Sequence, residues 1–165
     1  MSQPTTSQLS PHACHEIDRW LAKFPADQKR SAVLAALREV QHENGGWLSK
    51  ELMDAVADYL GMAPIAVYEV ASFYSMLETK KVGRHSVSIC TNISCMLRGS
   101  DAIVTHAEKR LGIKTGESTP DGRIHLKREE ECLAACCGGP MMMVDHVFHE
   151  NLTPEKVDAV LDGLK

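Results

Sequence analysis

Apolar side chains recur every three to four residues through the first half of the chain, which is the period of an amphipathic α-helix. Start and stop signals divide this half. Ser10 and Pro11 open a first helix that Pro25 ends, and Gly45-Gly46 ends a second. The pattern predicts four helices, over residues 11–24, 27–44, 50–60 and 64–74. Four short helices in this length predict a small helical bundle.

From about residue 81 the pattern changes. Val87 and Ile89 alternate with polar residues over 85–90, which predicts a strand, and a helix is predicted over 97–111. Pro120-Asp-Gly122 forms a turn before a strand that contains Ile124 and Leu126. Two more strands over 141–144 and 147–150, then a helix after Thr153, complete the predicted elements. The order β-α-β-β-β-α predicts a small α/β sandwich.

These two patterns predict two domains. A helical docking domain reaches to about residue 80, with residues 1–9 as a disordered tail, and an α/β domain covers 81–165. The 165 residues suffice for two small cores, and 44% apolar with 24% charged residues is typical of a globular protein. No apolar run reaches the roughly 18 to 20 residues that cross a bilayer, so no direct membrane insertion is expected.

Charge and the first residues restrict the surroundings. A net charge of −4 gives no electrostatic reason to expect a nucleic-acid partner, and favours another protein. The first residues lack the basic start and apolar stretch of a secretory signal, so a cytosolic location is expected. Thiols stay reduced there, and a cysteine cluster more often holds a metal or does redox work than forms disulfides.

The chemistry lies in two cysteine pairs. Five of the six cysteines fall within 48 residues, as Cys90 with Cys95 and Cys132 with Cys136, followed directly by Cys137. Four thiolates from two loops can enclose one metal centre. By spacing alone either Cys136 or Cys137 can complete the second pair, because an extended loop points adjacent side chains in opposite directions.

Three kinds of site compete for these thiols. Structural zinc usually takes its cysteines in C-x2-C pairs, and a redox dithiol needs the same spacing of two intervening residues. Here four residues intervene in the first pair and three in the second. A [2Fe–2S] cluster is larger, and each of its irons takes two thiolates, so wider spacings suit it. Gly138-Gly139 would let backbone N–H groups approach the sulfurs, and Met141–Val144 is predicted as a buried strand that keeps one side dry. Spacing therefore favours the cluster over zinc.

At these residues the sequence resembles the E-subunit family of bacterial NADH–quinone oxidoreductase (respiratory complex I), the counterpart of the mitochondrial flavoprotein 2 subunit. The resemblance covers almost the whole chain and rests on many matching positions in the same order. They are Gly45-Gly-Trp47-Leu48, Val67-Tyr-Glu-Val-Ala-Ser-Phe-Tyr74, Ile89-Cys-Thr-Asn-Ile-Ser-Cys-Met-Leu-Arg-Gly99, Thr119-Pro-Asp-Gly122 and Glu131-Cys-Leu-Ala-Ala-Cys136 followed by Gly139-Pro140.

The resemblance implies a thioredoxin-like [2Fe–2S] ferredoxin domain behind the helical bundle, with Cys90, Cys95, Cys132 and Cys136 as the cluster ligands. The family pattern is C-x4-C followed by C-x3-C, which selects Cys136. Cys137 departs from the pattern, since this position is often glycine or another small or polar residue in such proteins.

The resemblance also implies an electron-transfer subunit without a complete active site of its own. Its expected partner is the flavoprotein that binds FMN and NADH, together with further peripheral-arm subunits on the cytoplasmic side of the bacterial inner membrane. The chain holds no G-x-G-x-x-G loop, which agrees with nucleotide binding by the partner. The cluster is expected near the flavin, off the main route to quinone, where it could store one electron.

Three other functions compete with this one, of which a free-standing ferredoxin is disfavoured because it would not need the helical first half. Similar diaphorase subunits occur in NAD-reducing hydrogenases and NAD-dependent formate dehydrogenases. Residues 52–73 also resemble a DNA-binding helix-turn-helix, which would suit a cluster-sensing regulator. Residues 1–80, however, hold seven Lys and Arg against ten Asp and Glu, and a phosphate-facing surface should be basic.

Two smaller groups have ordinary interpretations. His12, Cys14 and His15 could gather a metal, but their position near the terminus favours solvated helix residues. Glu129–Glu131 is expected to be a solvated acidic run, although Glu131 adjoins Cys132 and would affect the potential of a cluster there.

Overall fold

A computed structural model describes residues 8–127 and 132–165. The chain divides into two compact units, one ending at Lys81 and the other beginning at Val82. Residues 1–7 of the predicted tail, and the acidic run Glu129–Glu131, lie outside the described residues. Leu9, which the sequence places in the tail, is buried. It directly precedes the N-cap Ser10, from where an apolar side chain commonly packs back against the helix.

Within its described residues, the first unit contains four α-helices and a 3₁₀ turn. They are α1 (Pro11–Leu21), a 3₁₀ turn (Lys29–Ala32), α2 (Val33–Glu43), α3 (Lys50–Leu60) and α4 (Pro64–Phe73). The hydroxyls of Ser10 and Ser49 accept hydrogen bonds from the N–H groups of Ala13 and Leu52, so both act as N-caps. Gly61 ends α3 in the left-handed conformation, with φ of 67°.

The core of this unit is built from the apolar faces that the sequence predicted. Ile17, Leu37, Val56 and Val67 come from four different helices and are fully buried. The predicted second helix is shorter than expected, because its first residues form the 3₁₀ turn and α2 begins only at Val33.

As far as the structure describes it, the second unit is a five-stranded sheet with three α-helices. Its elements are β1 (His85–Ile89), α5 (Ile93–Leu97), α6 (Ser100–Leu111), β2 (Glu117–Ser118), β3 (Ile124–Leu126), β4 (Met142–Val144), β5 (Val147–His149) and α7 (Pro154–Gly163). The strand order is β2-β3-β1-β4-β5, with β1 parallel to β3 and antiparallel to β4. Mixed helix and sheet agrees with the predicted fold class. The sequence missed β2 and α5, and five strands replace the expected four.

The sheet brings the two cysteine segments to one edge. Ile89 at the end of β1 lies opposite Met142 at the start of β4, and the Cys90 N–H donates to the Met141 carbonyl at 3.1 Å. The segment after β1 and the segment before β4 therefore emerge side by side. The Gly139-Pro140 peptide bond in the second segment is cis.

Candidate metal centre

The first cysteine pair lies directly after β1. Cys90 follows the last residue of the strand, and Cys95 lies within α5, whose N-cap is Asn92. Cys90 and Cys95 are each only 2% exposed, and they form a small buried cluster with Met141. Met141, the first residue of the apolar segment after the second pair, thus packs against the first pair.

The second cysteine pair closes a short exposed loop. The Sγ atoms of Cys132 and Cys136 lie 3.4 Å apart. Ala134 between them has a positive φ of 64°, and its N–H donates to Cys132 Sγ at 3.4 Å. Cys136 begins a 3₁₀ turn that ends at Gly138, so the expectation of an extended loop at Cys136 and Cys137 is wrong. A tight turn forms because the Gly138 N–H bonds back to the Ala135 carbonyl.

The four predicted ligands lie near one another. The Sγ atoms of Cys132 and Cys136 are 3.4 Å apart, and Cys90 influences the pKa of Cys95 in its own segment and of Cys132 in the other segment. Two buried thiols from one segment and two exposed thiols from the other thus face one position. Four convergent thiolates are the donor set of an iron–sulfur cluster or a Cys₄ zinc site.

The two glycines after Cys137 have different roles. A Cβ built on Gly139 would lie 3.1 Å from Cys95 Sγ, so glycine lets the backbone approach this sulfur. This agrees with the role predicted from the sequence. At Gly138 a Cβ would instead overlap the Glu150 side chain, so this glycine makes room for the segment after β5.

Two side chains of the α5 segment reach across to the second cysteine loop. Ser94 Oγ donates to the Cys136 carbonyl at 3.0 Å. Arg98 Nη1 donates to the carbonyls of Cys137 and Gly139, at 2.9 and 3.2 Å. Sequence reasoning missed both residues, because a hydrogen bond across 39 or more residues leaves no local signal.

The surroundings of the thiols separate their pKa values. Burial, followed by a hydrogen bond to Cys90, raises the pKa of Cys95 to about 11. The Ala134 N–H lowers the pKa of Cys132, because it donates to the thiolate. Cys136, which donates to Cys132, has a raised pKa. A metal centre bound here would therefore displace protons from Cys95 and Cys136.

The two remaining cysteines have different surroundings from each other. Cys137 is exposed, with its carbonyl held by Arg98. Cys14 is half-buried and packs against the helical core, so it is less solvated than predicted.

His12 does not share a site with Cys14. Its Nδ1 lies 2.9 Å from Glu43 and 3.4 Å from Glu39. The Ser10 hydroxyl, which donates to Glu43, lowers the pKa of this carboxylate. The arrangement is accounted for as a hydrogen-bonded group beside the helix cap.

Comparison with known proteins identifies the family. The family model described as thioredoxin-like [2Fe–2S] ferredoxin matches residues 17–165. The chain belongs to this family. Its cysteine pairs therefore fit the cofactor for which the family is named, and the buried sulfurs beside Gly139 are consistent with that fit.

The chain is similar in sequence to subunits of NADH dehydrogenase and NADH-quinone oxidoreductase. Flavoprotein 2 of mitochondrial NADH dehydrogenase [ubiquinone] from Dictyostelium discoideum is 43% identical over 150 residues, which are 91% of this chain and 60% of the relative. The E subunit of NADH-quinone oxidoreductase from Rickettsia bellii is 42% identical over 145 residues, covering 88% and 86%. The E 2 subunit of the same enzyme from Rhizobium meliloti is 41% identical over 150 residues, covering 91% and 87%.

Among solved structures, a chain of a NAD⁺-reducing [NiFe]-hydrogenase in the air-oxidized state has a similar fold. The TM-score is 0.67 at 20% identity, and the match covers 79% of this chain and 22% of the hydrogenase chain. At this identity the likeness concerns the fold. In the hydrogenase, the shared fold forms one part of a much longer chain.

The helices of the described residues are all short or polar by the standard of a membrane span. Within this part of the chain, no helix combines the length and the apolar character that a bilayer crossing requires.

Proposed function

We propose that this chain is the electron-transfer E subunit of an NADH–quinone oxidoreductase, with Cys90, Cys95, Cys132 and Cys136 holding its [2Fe–2S] cluster. The observation that carries the proposal is the convergence of the two cysteine segments. The Sγ atoms of Cys132 and Cys136 are 3.4 Å apart, and Ser94, next to Cys95, donates to the Cys136 carbonyl at 3.0 Å. The sequence relatives support the choice of enzyme, because E subunits and flavoprotein 2 match at 41–43% identity over most of this chain.

The chain's own residues would give the cluster an asymmetric environment. When bound, a [2Fe–2S] cluster takes up and gives back one electron. Cys90, Cys95 and Met141 shield one side from water, whereas Cys132 and Cys136 leave the other side exposed. The exposed side is the direction from which a redox partner can approach most closely.

The proposed partner is a flavoprotein that carries FMN and binds NADH, within a peripheral arm of further subunits. Ile93 and Leu97 lie four residues apart on α5, on the same face as one another, and are 66% and 78% exposed. In the helical unit, Phe73 at the end of α4 is 79% exposed. Exposed apolar side chains of this size are typical of protein interfaces, and support docking of both units on a partner.

The same proposal places the protein on the cytoplasmic side of the bacterial inner membrane. Attachment would come from the other subunits of the arm. Fractionation of intact cells tests this point: the chain should sediment with the membranes and be released by salt or detergent with its partner subunits. Recovery in the soluble fraction, free of other subunits, would contradict it.

A diaphorase subunit of an NAD-reducing hydrogenase is the second candidate, favoured by the fold likeness to the hydrogenase chain. The sequence relatives at 41–43% identity favour the respiratory enzyme instead. Affinity purification of the tagged chain distinguishes them. Co-purification with NADH-dependent quinone reduction supports the first candidate, and co-purification with hydrogen-dependent NAD⁺ reduction supports the second.

Iron and acid-labile sulfide analysis of the full-length protein tests the cluster directly, together with EPR after reduction. Equal amounts of iron and sulfide with a [2Fe–2S] signal are expected, as is retention of both in the matched control Cys14→Ser. Zinc without sulfide would overturn the proposal.

The proposed role of this cluster is temporary storage of one electron beside the flavin. A Cys132→Ser variant that lacks the cluster but still assembles should release more superoxide during NADH oxidation than the normal complex. Equal superoxide release by the two complexes would rule out the storage role.

A further inference from the structure

Three hydrogen bonds hold the second cysteine loop against the first, and all three come from the segment that carries Cys95. Ser94 donates to the Cys136 carbonyl at 3.0 Å. Arg98, at the C-cap of α5, donates from one Nη1 to the carbonyls of Cys137 and Gly139. Each of these three bonds therefore ends on the backbone between Cys136 and Gly139.

The Arg98 side chain lies close to the sulfurs as well as to the carbonyls. A Cβ built on Gly139 would be 3.1 Å from Cys95 Sγ and 3.5 Å from Arg98 Cδ, so both atoms flank the same open face of this glycine. A guanidinium group is a permanent cation. The side chain that carries this charge passes beside Cys95, and its guanidinium lies on the backbone carbonyls of Cys137 and Gly139.

Arg98 can act on two properties of the site. Its hydrogen bonds hold the backbone next to Cys136 in place, and therefore the distance between the second cysteine pair and the first. A nearby cation also favours the more negative of two redox states, because the net charge around an iron–sulfur cluster helps to set its potential.

We propose that Arg98 is the positioning residue of the second cysteine loop and that its charge raises the reduction potential of the cluster, with Ser94 as a neutral second support. This inference rests on the proposed function, because it requires a cluster on these thiols.

The test compares four variants of the full-length, cluster-loaded protein. Arg98→Gln removes the charge, Arg98→Lys keeps it on a single donor group, and Ser94→Ala removes only the neutral support. Arg84→Gln is the matched control. Arg84 directly precedes β1 and Cys90 directly follows it, so about 20 Å of strand separates this arginine from the nearest predicted ligand in its own segment. The measurements are the midpoint potential by EPR-monitored titration and the rate of cluster loss to an iron chelator.

Arg98→Gln should lower the midpoint potential of the cluster. At a fixed applied potential the ratio of oxidised to reduced cluster should then rise about tenfold, which corresponds to ~59 mV for a one-electron couple. It should also lose its cluster about tenfold faster. Arg98→Lys and Ser94→Ala should lose the cluster faster than the parent protein at nearly the parent potential. Arg84→Gln should match the parent in both measurements.

A potential for Arg98→Gln that shifts no more than that of Arg84→Gln would overturn the electrostatic role. Parent rates of cluster loss in all three test variants would overturn the positioning role. If Arg98→Gln retains no cluster while Arg84→Gln does, the positioning role is supported. The electrostatic role is then tested with Arg98→Lys, which keeps the charge, and a potential below that of the parent protein would overturn it. Absence of iron and sulfide from the parent protein would instead contradict the proposed function itself.

Discussion

Cys132 and Cys136 face each other across their loop with Sγ atoms 3.4 Å apart, whereas the bond from Arg98 reaches the backbone carbonyl of Cys137 and not its sulfur. This difference predicts which neighbour ligates. Cys136→Ser should lose most of the iron, sulfide and reduced EPR signal, because one iron keeps a single thiolate. Cys137→Ser, the matched control, should retain all three. Cluster loss on changing only Cys137 would refute the assignment.

Gly139 should not accept a side chain. A Cβ there would press on Cys95 Sγ at 3.1 Å and on the Cys95 Cα at 3.5 Å. We expect Gly139→Ala to lower the stability of the loaded protein by about 1–3 kcal/mol, as overpacking does, and to speed cluster loss. Thermal unfolding and absorbance of the loaded protein measure the two effects.

Gly163 in α7 provides the control for that substitution. A Cβ at Gly163 meets nothing within 4 Å. Gly163→Ala should be neutral or stabilising by up to about 1 kcal/mol, because alanine favours the helix. Equal effects of the two substitutions would show that Gly139 has no special relation to the sulfur.

The elements that the sequence predicted best have local signals at both ends. The helix α3 begins after the Ser49 cap and ends at Gly61, and both residues act as predicted. The strand β2 was missed because its two residues, Glu117 and Ser118, are too few to alternate. Its existence depends on pairing with β3, which is a tertiary contact.

In the candidate site, too, features of the local sequence were predicted and contacts between distant residues were not. Spacing indicated the two cysteine pairs, because the members of each pair are close in sequence. The sequence also indicated that a glycine lets the backbone approach a sulfur, but not that this sulfur is Cys95 Sγ in the other segment. It did not separate Cys136 from Cys137, nor did it indicate Ser94 or Arg98. Their partners lie 39 to 42 residues away, and only the pairing of β1 with β4 brings them together.

Replacing Ala134 by glycine should stabilise the loop between Cys132 and Cys136. Its φ of 64° lies in the left-handed region, where a Cβ costs about 1–2 kcal/mol. Ala134→Gly should therefore stabilise the loop by about 1 kcal/mol while keeping the N–H bond to Cys132 Sγ. The neighbouring Ala135 has a φ of −105°, so Ala135→Gly should be neutral or destabilising. Thermal unfolding of both variants in the loaded form measures this, and a destabilised Ala134→Gly variant would contradict strain at that residue.

His85 should make the stability of the second unit depend on pH. Its Nδ1 lies 2.6 Å from Asp145 Oδ2, and its Nε2 lies 2.9 Å from the Lys165 backbone oxygen. The hydrogen bond to Asp145, then that to Lys165, raises the pKa of His85 above its ordinary 6.5. Because the folded pKa exceeds the unfolded value, the stabilisation is complete below about pH 6.5 and is lost as pH rises through the folded pKa.

His85→Gln should therefore lower the melting temperature most at about pH 5.5 and least at about pH 9. The free-energy difference should be at most about 1 kcal/mol, because the pair is partly exposed and solvent screens it. In an Asp145→Asn background, the same substitution should lose most of its pH dependence, since the acceptor with the largest effect is gone. A melting difference that stays constant across this range in both backgrounds would show that His85 does not contribute through its charge.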